Sequence, residues 1–162
     1  MPLVIENDYH YNYGMSDEDS ALTQEWLARL QEAGYRLTSP RRWLVETLST
    51  SQRALSPLDL YDAARQYHPG MGLVTVYRTL EKLEALGLVS RVHQPDGCHM
   101  FLRSARGHEH LLLCTSCQRA EYVSGDDLEA LARAIARRTG FRVDEHWLQF
   151  NGLCADCQEA SA

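Results

Sequence analysis

The chain has 162 residues, enough for one ordinary core or two small ones, and its 44% apolar content is that of a globular protein. Its apolar runs are only a few residues long and its first twenty residues lack the basic start of a secretory signal, so no membrane span is expected and a cytoplasmic setting with reduced thiols follows. The formal charge of −6 divides into −5 over residues 1–19, +2 over 20–104 and −3 over 105–162, which leaves the middle segment as the place where a phosphate backbone would dock.

Residues 1–19, with Tyr9, Tyr11 and Tyr13 alternating with polar groups ahead of SDEDS, read as a mobile acidic tail. From Ser20 the apolar spacing becomes helical, with Leu22, Trp26, Leu27 and Leu30 on one face and a stop at Gly34, which predicts a helix over 21–33. Ser39 before Pro40 pairs an N-cap with a first helical residue, and Trp43, Leu44, Val45 and Leu48 supply the buried side of a second helix over 40–50. Ser56, Pro57 and Asp59 repeat the signal for a third helix over 57–67, with Asp59 placed to cap back onto Ser56. After the break at His68-Pro69-Gly70, Val76, Leu80, Leu83 and Leu86 set a fourth helix over 74–86 and leave Thr75, Arg78, Thr79 and Lys82 for its other face. LVSRVHQPDGCHMFLR then reads as two short strands turning at Pro95-Asp96-Gly97. Short helices followed by a hairpin form a winged-helix arrangement.

Past Arg106 the pattern changes. HEHLLLCTSCQRAEYV predicts two strands around a Cys-x-x-Cys turn, and Ser124-Gly125-Asp126-Asp127 offers a capping box to a helix whose buried stripe is Leu128, Leu131, Ala132 and Ile135. FRVDEHWLQFNG alternates as a strand leading into a second Cys-x-x-Cys pair. The expected class is α+β: a tail at 1–19, a winged helix-turn-helix domain at 20–103, and a small α/β domain at 104–162.

Two Cys-x-x-Cys turns, Cys114 with Cys117 and Cys154 with Cys157, each aim two thiolates at one point, and together they supply the four soft donors of a structural zinc ion. Disulfides or unliganded buried thiols are the alternative, which a reducing compartment disfavours. Four cysteines leave no open position for catalysis. The fifth, Cys98, falls on the hairpin beside His99 and reads as an ordinary strand cysteine. His108 and His110 flank Glu109, so an extended strand turns them to the same side, either as an exposed polar face or as two ligands of a divalent ion. Spacing alone allows Glu121, Glu129, Asp144, Glu145 and His146 as further ligands.

The runs RLTSPRRWLVETL, LSPLDLYDAA, VTVYRTLEKLEALGLV, HEHLLLCTSC and GLCADC together resemble the ferric uptake regulator family of bacterial metal-responsive repressors, over nearly everything after the tail. The resemblance implies a winged-helix DNA-binding domain, a hinge, an α/β dimerisation domain, and a homodimer that binds palindromic double-stranded DNA when regulatory metal is loaded. It implies no membrane partner and no small organic substrate. Thr75, Tyr77, Arg78 and Thr79 match the family's recognition helix; an arginine suits guanine and a tyrosine ring suits a thymine methyl. Arg36 matches a basic position inserted in the minor groove, and Arg41 a phosphate contact. His108, His110, Glu129 and His146 match a regulatory site for a second divalent ion, Zn2+ or Fe2+, with Mn2+ also compatible. A further family site falls, in an ungapped reading, on Ala54, Leu102, Glu109, Leu111 and Tyr122, most of which cannot ligate. A one-residue slip around LLLC would instead bring His108, His110 and Glu121 there; a related zinc-sensor pattern uses a cysteine at the end of the hairpin, where Ser104 stands here, with Cys98, His99 or His93 as candidate substitutes. Two other function classes stand beside the repressor reading: a metalloenzyme whose histidines activate water, and a zinc-stabilised interaction module.

Overall fold

A computed structural model describes residues 16–93, 97–105, 109–124, 128–144 and 148–160. The first helix, α1 (Asp17–Glu32), starts earlier than its apolar spacing indicates, because the Ser16 hydroxyl accepts from the Asp19 N–H and three acids fill the first turn at the positive end of the helix dipole. The SDED run is therefore the head of a helix and not the end of the tail. The rest of the expected tail lies outside the described residues. Helix α2 (Ser39–Thr50) follows with Pro40 in its first turn and Thr38, not Ser39, at the cap position. Helix α3 (Pro57–Arg65) carries the full Ser56–Asp59 capping box. Helix α4 (Leu73–Ala85) ends where Gly87 takes the left-handed conformation at φ 66°.

Strands β1 (Val89–His93) and β2 (His99–Arg103) form the antiparallel wing, with Val89 opposite Arg103 and His93 opposite His99. Helices and wing close over one core that includes Trp26, Leu30, Leu44, Leu48, Leu60 and Leu83. Between α1 and α2 the buried Thr23 and Ser49 hydroxyls satisfy each other at 2.7 Å.

The second half is a three-stranded sheet in the order β4-β3-β5, built from β3 (Glu109–Cys114), β4 (Ala120–Ser124) and β5 (Gln149–Gly152). Strand β4 returns antiparallel to β3, while β5 arrives parallel after α5 (Leu128–Thr139), and α6 (Ala155–Glu159) follows. The long strand expected over 141–152 shrinks to four residues: 141–144 hold no strand, and 145–147 lie outside the described residues. Helix α5 has the expected period, but its stripe is not buried: Leu131 is 54% and Ile135 37% exposed, and no residue of the helix is buried in the single chain.

A second core crosses between the halves. Ala54, Val92, Met100 and Leu102 pack with Leu111 and Leu113, backed by Ala120 and Tyr122. The segment after α2 is strapped to both sides of this junction by backbone hydrogen bonds. Leu55 exchanges two with Phe101 on the wing, the Ala54 N–H donates to the Gln118 carbonyl, and the Ala120 N–H donates to that of Gln52. The Tyr122 hydroxyl adds a bond to the Arg103 carbonyl at 2.6 Å.

Candidate metal centre and nucleic-acid interface

Parallel pairing of β3 and β5 sets Cys114 opposite Gly152, which places the two Cys-x-x-Cys turns side by side. The first turn is closed by the Gln118 N–H donating to the Cys114 carbonyl, and its backbone reverses through Gln118 in the left-handed region at φ 62°. The Thr115 N–H donates across to the Gly152 carbonyl at 2.7 Å and ties one turn to the other. Cys154 then caps α6, and Cys157 follows within that helix.

The four sulfurs lie within 4.8 Å of one another, and Cys117 Sγ and Cys154 Sγ are 3.8 Å apart. A tetrahedron with Zn–S bonds of about 2.3 Å has edges of about 3.8 Å, so the donor set fits zinc in number, softness and span. The Cys154 N–H lies 3.4 Å from Cys114 Sγ, the kind of outer hydrogen bond that steadies a ligated thiolate. Burial pushes the Cys114 thiol up, but N–H groups of Cys117, Cys154 and Ser116 outweigh it and bring the group down to about 6. Burial first, and then the neighbouring thiols, push Cys117 up to about 12. A cation bound among the four sulfurs would take the place of their protons.

The remaining predicted ligands divide. His110 is buried on β3, at 7% exposure, while Glu129 is exposed in the first turn of α5 and pairs with Arg133 at 2.9 Å. His108 and His146 lie outside the described residues. Glu121 is engaged by Arg119 at 3.0 Å, and the same guanidinium reaches Asp156 beside the second thiol pair. Leu111 and Leu113 face the core shared with Ala54 and Leu102, so by strand alternation His110 and Leu112 take the opposite face. The ungapped positions Ala54, Leu102, Leu111 and Tyr122 thus meet in space as an apolar cluster. The slip that would turn His110 toward them does not occur. Cys98 and His99 are exposed at the wing, away from the four thiols, which are the only group of three or more potential ligands gathered among the described residues.

On the helical half, α4 turns Val76, Leu80 and Leu83 inward and leaves Val74, Tyr77, Arg78 and Glu81 outward. Thr79 goes the other way: it is 0% exposed and its hydroxyl is satisfied by the Thr75 carbonyl one turn back, so it faces the core and not an exposed surface. Thr75 is half-buried and Arg36 exposed. Arg41 is half-buried and bends back to donate to the Arg36 carbonyl, which draws it from the free phosphate-contact posture expected of it. The α4 N-terminus is capped by Gly72 without a side-chain bond, and the Thr75 N–H donates to the Gly72 carbonyl at 2.8 Å. Val74, exposed at the head of α4, was missed by sequence reasoning because an apolar residue outside the buried stripe gives no signal of its own.

Four helices, a wing and a cluster of four thiols fit for zinc on an adjoining small sheet define a winged-helix protein of the α+β class. The family model described as the ferric uptake regulator family matches residues 32–151. The ferric uptake regulation protein of Legionella pneumophila is 37% identical over 133 residues, covering 80% of this chain and 96% of its own. The zinc uptake regulation protein of Mycobacterium tuberculosis is 33% identical over 129 residues, covering 80% and 99%. A zinc uptake regulator solved in complex with zinc and DNA shares the fold with a TM-score of 0.68, at 22% identity over 90% of this chain and 99% of that one. The chain belongs to the ferric uptake regulator family, which makes it a metal-responsive transcriptional regulator and not an enzyme.

Proposed function

We propose that the chain is a repressor of metal-homeostasis genes that binds a palindromic operator as a homodimer when a regulatory divalent ion is loaded. The observation that carries this reading is the joining of a DNA-shaped half to a metal-holding half. An outward Tyr77 and Arg78 on α4 are connected, through the wing and the second core, to the sheet that carries the thiolate site. Zinc held by Cys114, Cys117, Cys154 and Cys157 is structural and has no open position for a substrate. The regulatory ion, Zn2+ or Fe2+, sits with His110 and Glu129 together with His108 and His146. His110 comes from β3 and Glu129 from α5, so one ion shared by them and the other two residues would pin these elements together and shift the population toward a DNA-competent geometry. Arg36, Arg41, Thr75, Tyr77 and Arg78 form the DNA face, with Arg41 acting only after release from Arg36. The division into a DNA-binding domain at 20–103 and a dimerisation domain at 104–162, in a cytoplasmic protein, belongs to the same proposal.

The test is operator affinity measured with and without added Zn2+ or Fe2+, together with the metal content of the purified protein. Two metals per chain and a fall in affinity of at least tenfold on removing the second are expected. Undiminished metal-dependent binding after joint replacement of His108 and His146 by alanine would remove them as sensors.

A further inference from the structure

Building on the reading that α4 enters the major groove, we propose that Val74 is a specificity-determining residue that reads the C5-methyl group of one thymine in each operator half-site. Val74 is 61% exposed, one of the largest apolar exposures on the helical half, at the second position of α4. The rest of the protein does nothing to account for it, because the core of that half is complete with Val76, Leu80 and Leu83 on the opposite side of the helix. Its neighbours across the helix surface at three and four residues are Tyr77, 48% exposed, and Arg78. Among the described residues no carboxylate pairs with Arg78. The three outward side chains therefore combine a branched apolar tip, an aromatic face and a bidentate cation on one patch.

The occupant follows from that chemistry. A protein or membrane partner would call for apolar surface continuing beyond two residues, whereas Arg78 and Glu81 bound the patch on the same face. A base-pair edge in the major groove offers the matching set, a methyl group on thymine beside the N7 and O6 acceptors of guanine. Recognition helices present their N-terminal residues to base edges, and Val74 stands exposed in the first turn of α4, next to a glycine cap that carries no side chain. A valine has no donor or acceptor, so its only discrimination among the four base pairs is contact with the methyl.

Operator sequences selected from random double-stranded DNA by the metal-replete protein would be scanned by replacing each thymine with deoxyuridine, which deletes the methyl and keeps every hydrogen bond. For the wild-type chain one thymine per half-site, adjacent to a guanine, should lose about fourfold in affinity, the worth of one buried methyl group. In Val74→Ala, which keeps only Cβ, that position should lose clearly less than fourfold when the methyl is deleted, while any sensitivity at a thymine under Tyr77 persists. An unchanged melting temperature checks that the exposed substitution leaves the fold intact. A flat scan of the wild-type chain, or the same fourfold loss in Val74→Ala, overturns the assignment and leaves DNA binding standing. Failure to select any DNA overturns the underlying reading and the assignment together.

Discussion

Replacing Cys114 by serine removes one soft donor from a set whose spacing fits a single tetrahedral ion. Elemental analysis of Cys114→Ser should find the structural zinc gone. Because structural zinc contributes on the order of 10 kcal/mol to small sites, the second half should lose its cooperative melting transition. Cys98→Ser, at an exposed wing position, should keep both. The four thiols were legible because Cys-x-x-Cys spacing is itself the geometry of a chelating turn. Thr79 was not, because a polar residue inside a helix can satisfy its hydroxyl on the carbonyl one turn back and sit in the core without violating any pattern. Glu121 likewise offered a carboxylate by spacing, and only the fold shows that Arg119, between the two thiol turns, already holds it.

Helix α5 illustrates what periodicity can and cannot deliver. Leu128, Leu131, Ala132 and Ile135 share a stripe as the spacing requires, but among the described residues no residue of the helix is buried, and Phe141, Phe150 and Leu153 of the same half are exposed too. Exposed apolar side chains in this number on one half of a chain are what a self-complementary interface would cover. In the proposed homodimer, Leu131→Glu places a charge in that seam. The variant should sediment as a monomer at concentrations where the parent is a dimer, and its operator affinity should drop at least a hundredfold, since two half-sites then bind separately. The shortening of β5 has a related origin: alternation over 141–152 predicts a strand wherever a partner edge exists, but pairing with β3 begins only at Gln149.

For the molecule as a whole, the sequence shows a change of pattern near residues 103–107, but not the contacts between the segments on either side of it, since these join residues far apart in sequence. Tyr122 is the most testable of them. Burial, ahead of the opposing pull of Arg103 and the push of Glu109, raises its hydroxyl to about 12 from a usual 10.0. A raised folded value means the hydroxyl's contribution is complete below pH 10 and fades as the pH climbs toward 12, where the phenolate can no longer donate to the Arg103 carbonyl. An ultraviolet pH titration should therefore show one tyrosine ionising late, absent from Tyr122→Phe, and the wild type should approach the variant's lower stability over that range. Beside this contact a cleft of about 990 Å3 separates α1 from the β3–β4 side, lined by Glu25, Arg29, Arg103, Glu109 and Tyr122 among others. The halves thus touch through the strap after α2 and the apolar cluster and stand apart along α1. That strap also sets an order of assembly during synthesis. The backbone groups of Gln52 and Ala54 emerge from the ribosome long before their partners at Gln118 and Ala120, and β3 must wait further still for the parallel strand that carries the second thiol pair. Local helices form early and long-range pairings late, so the helical half is born with an open seam that closes only once the metal-holding half is complete.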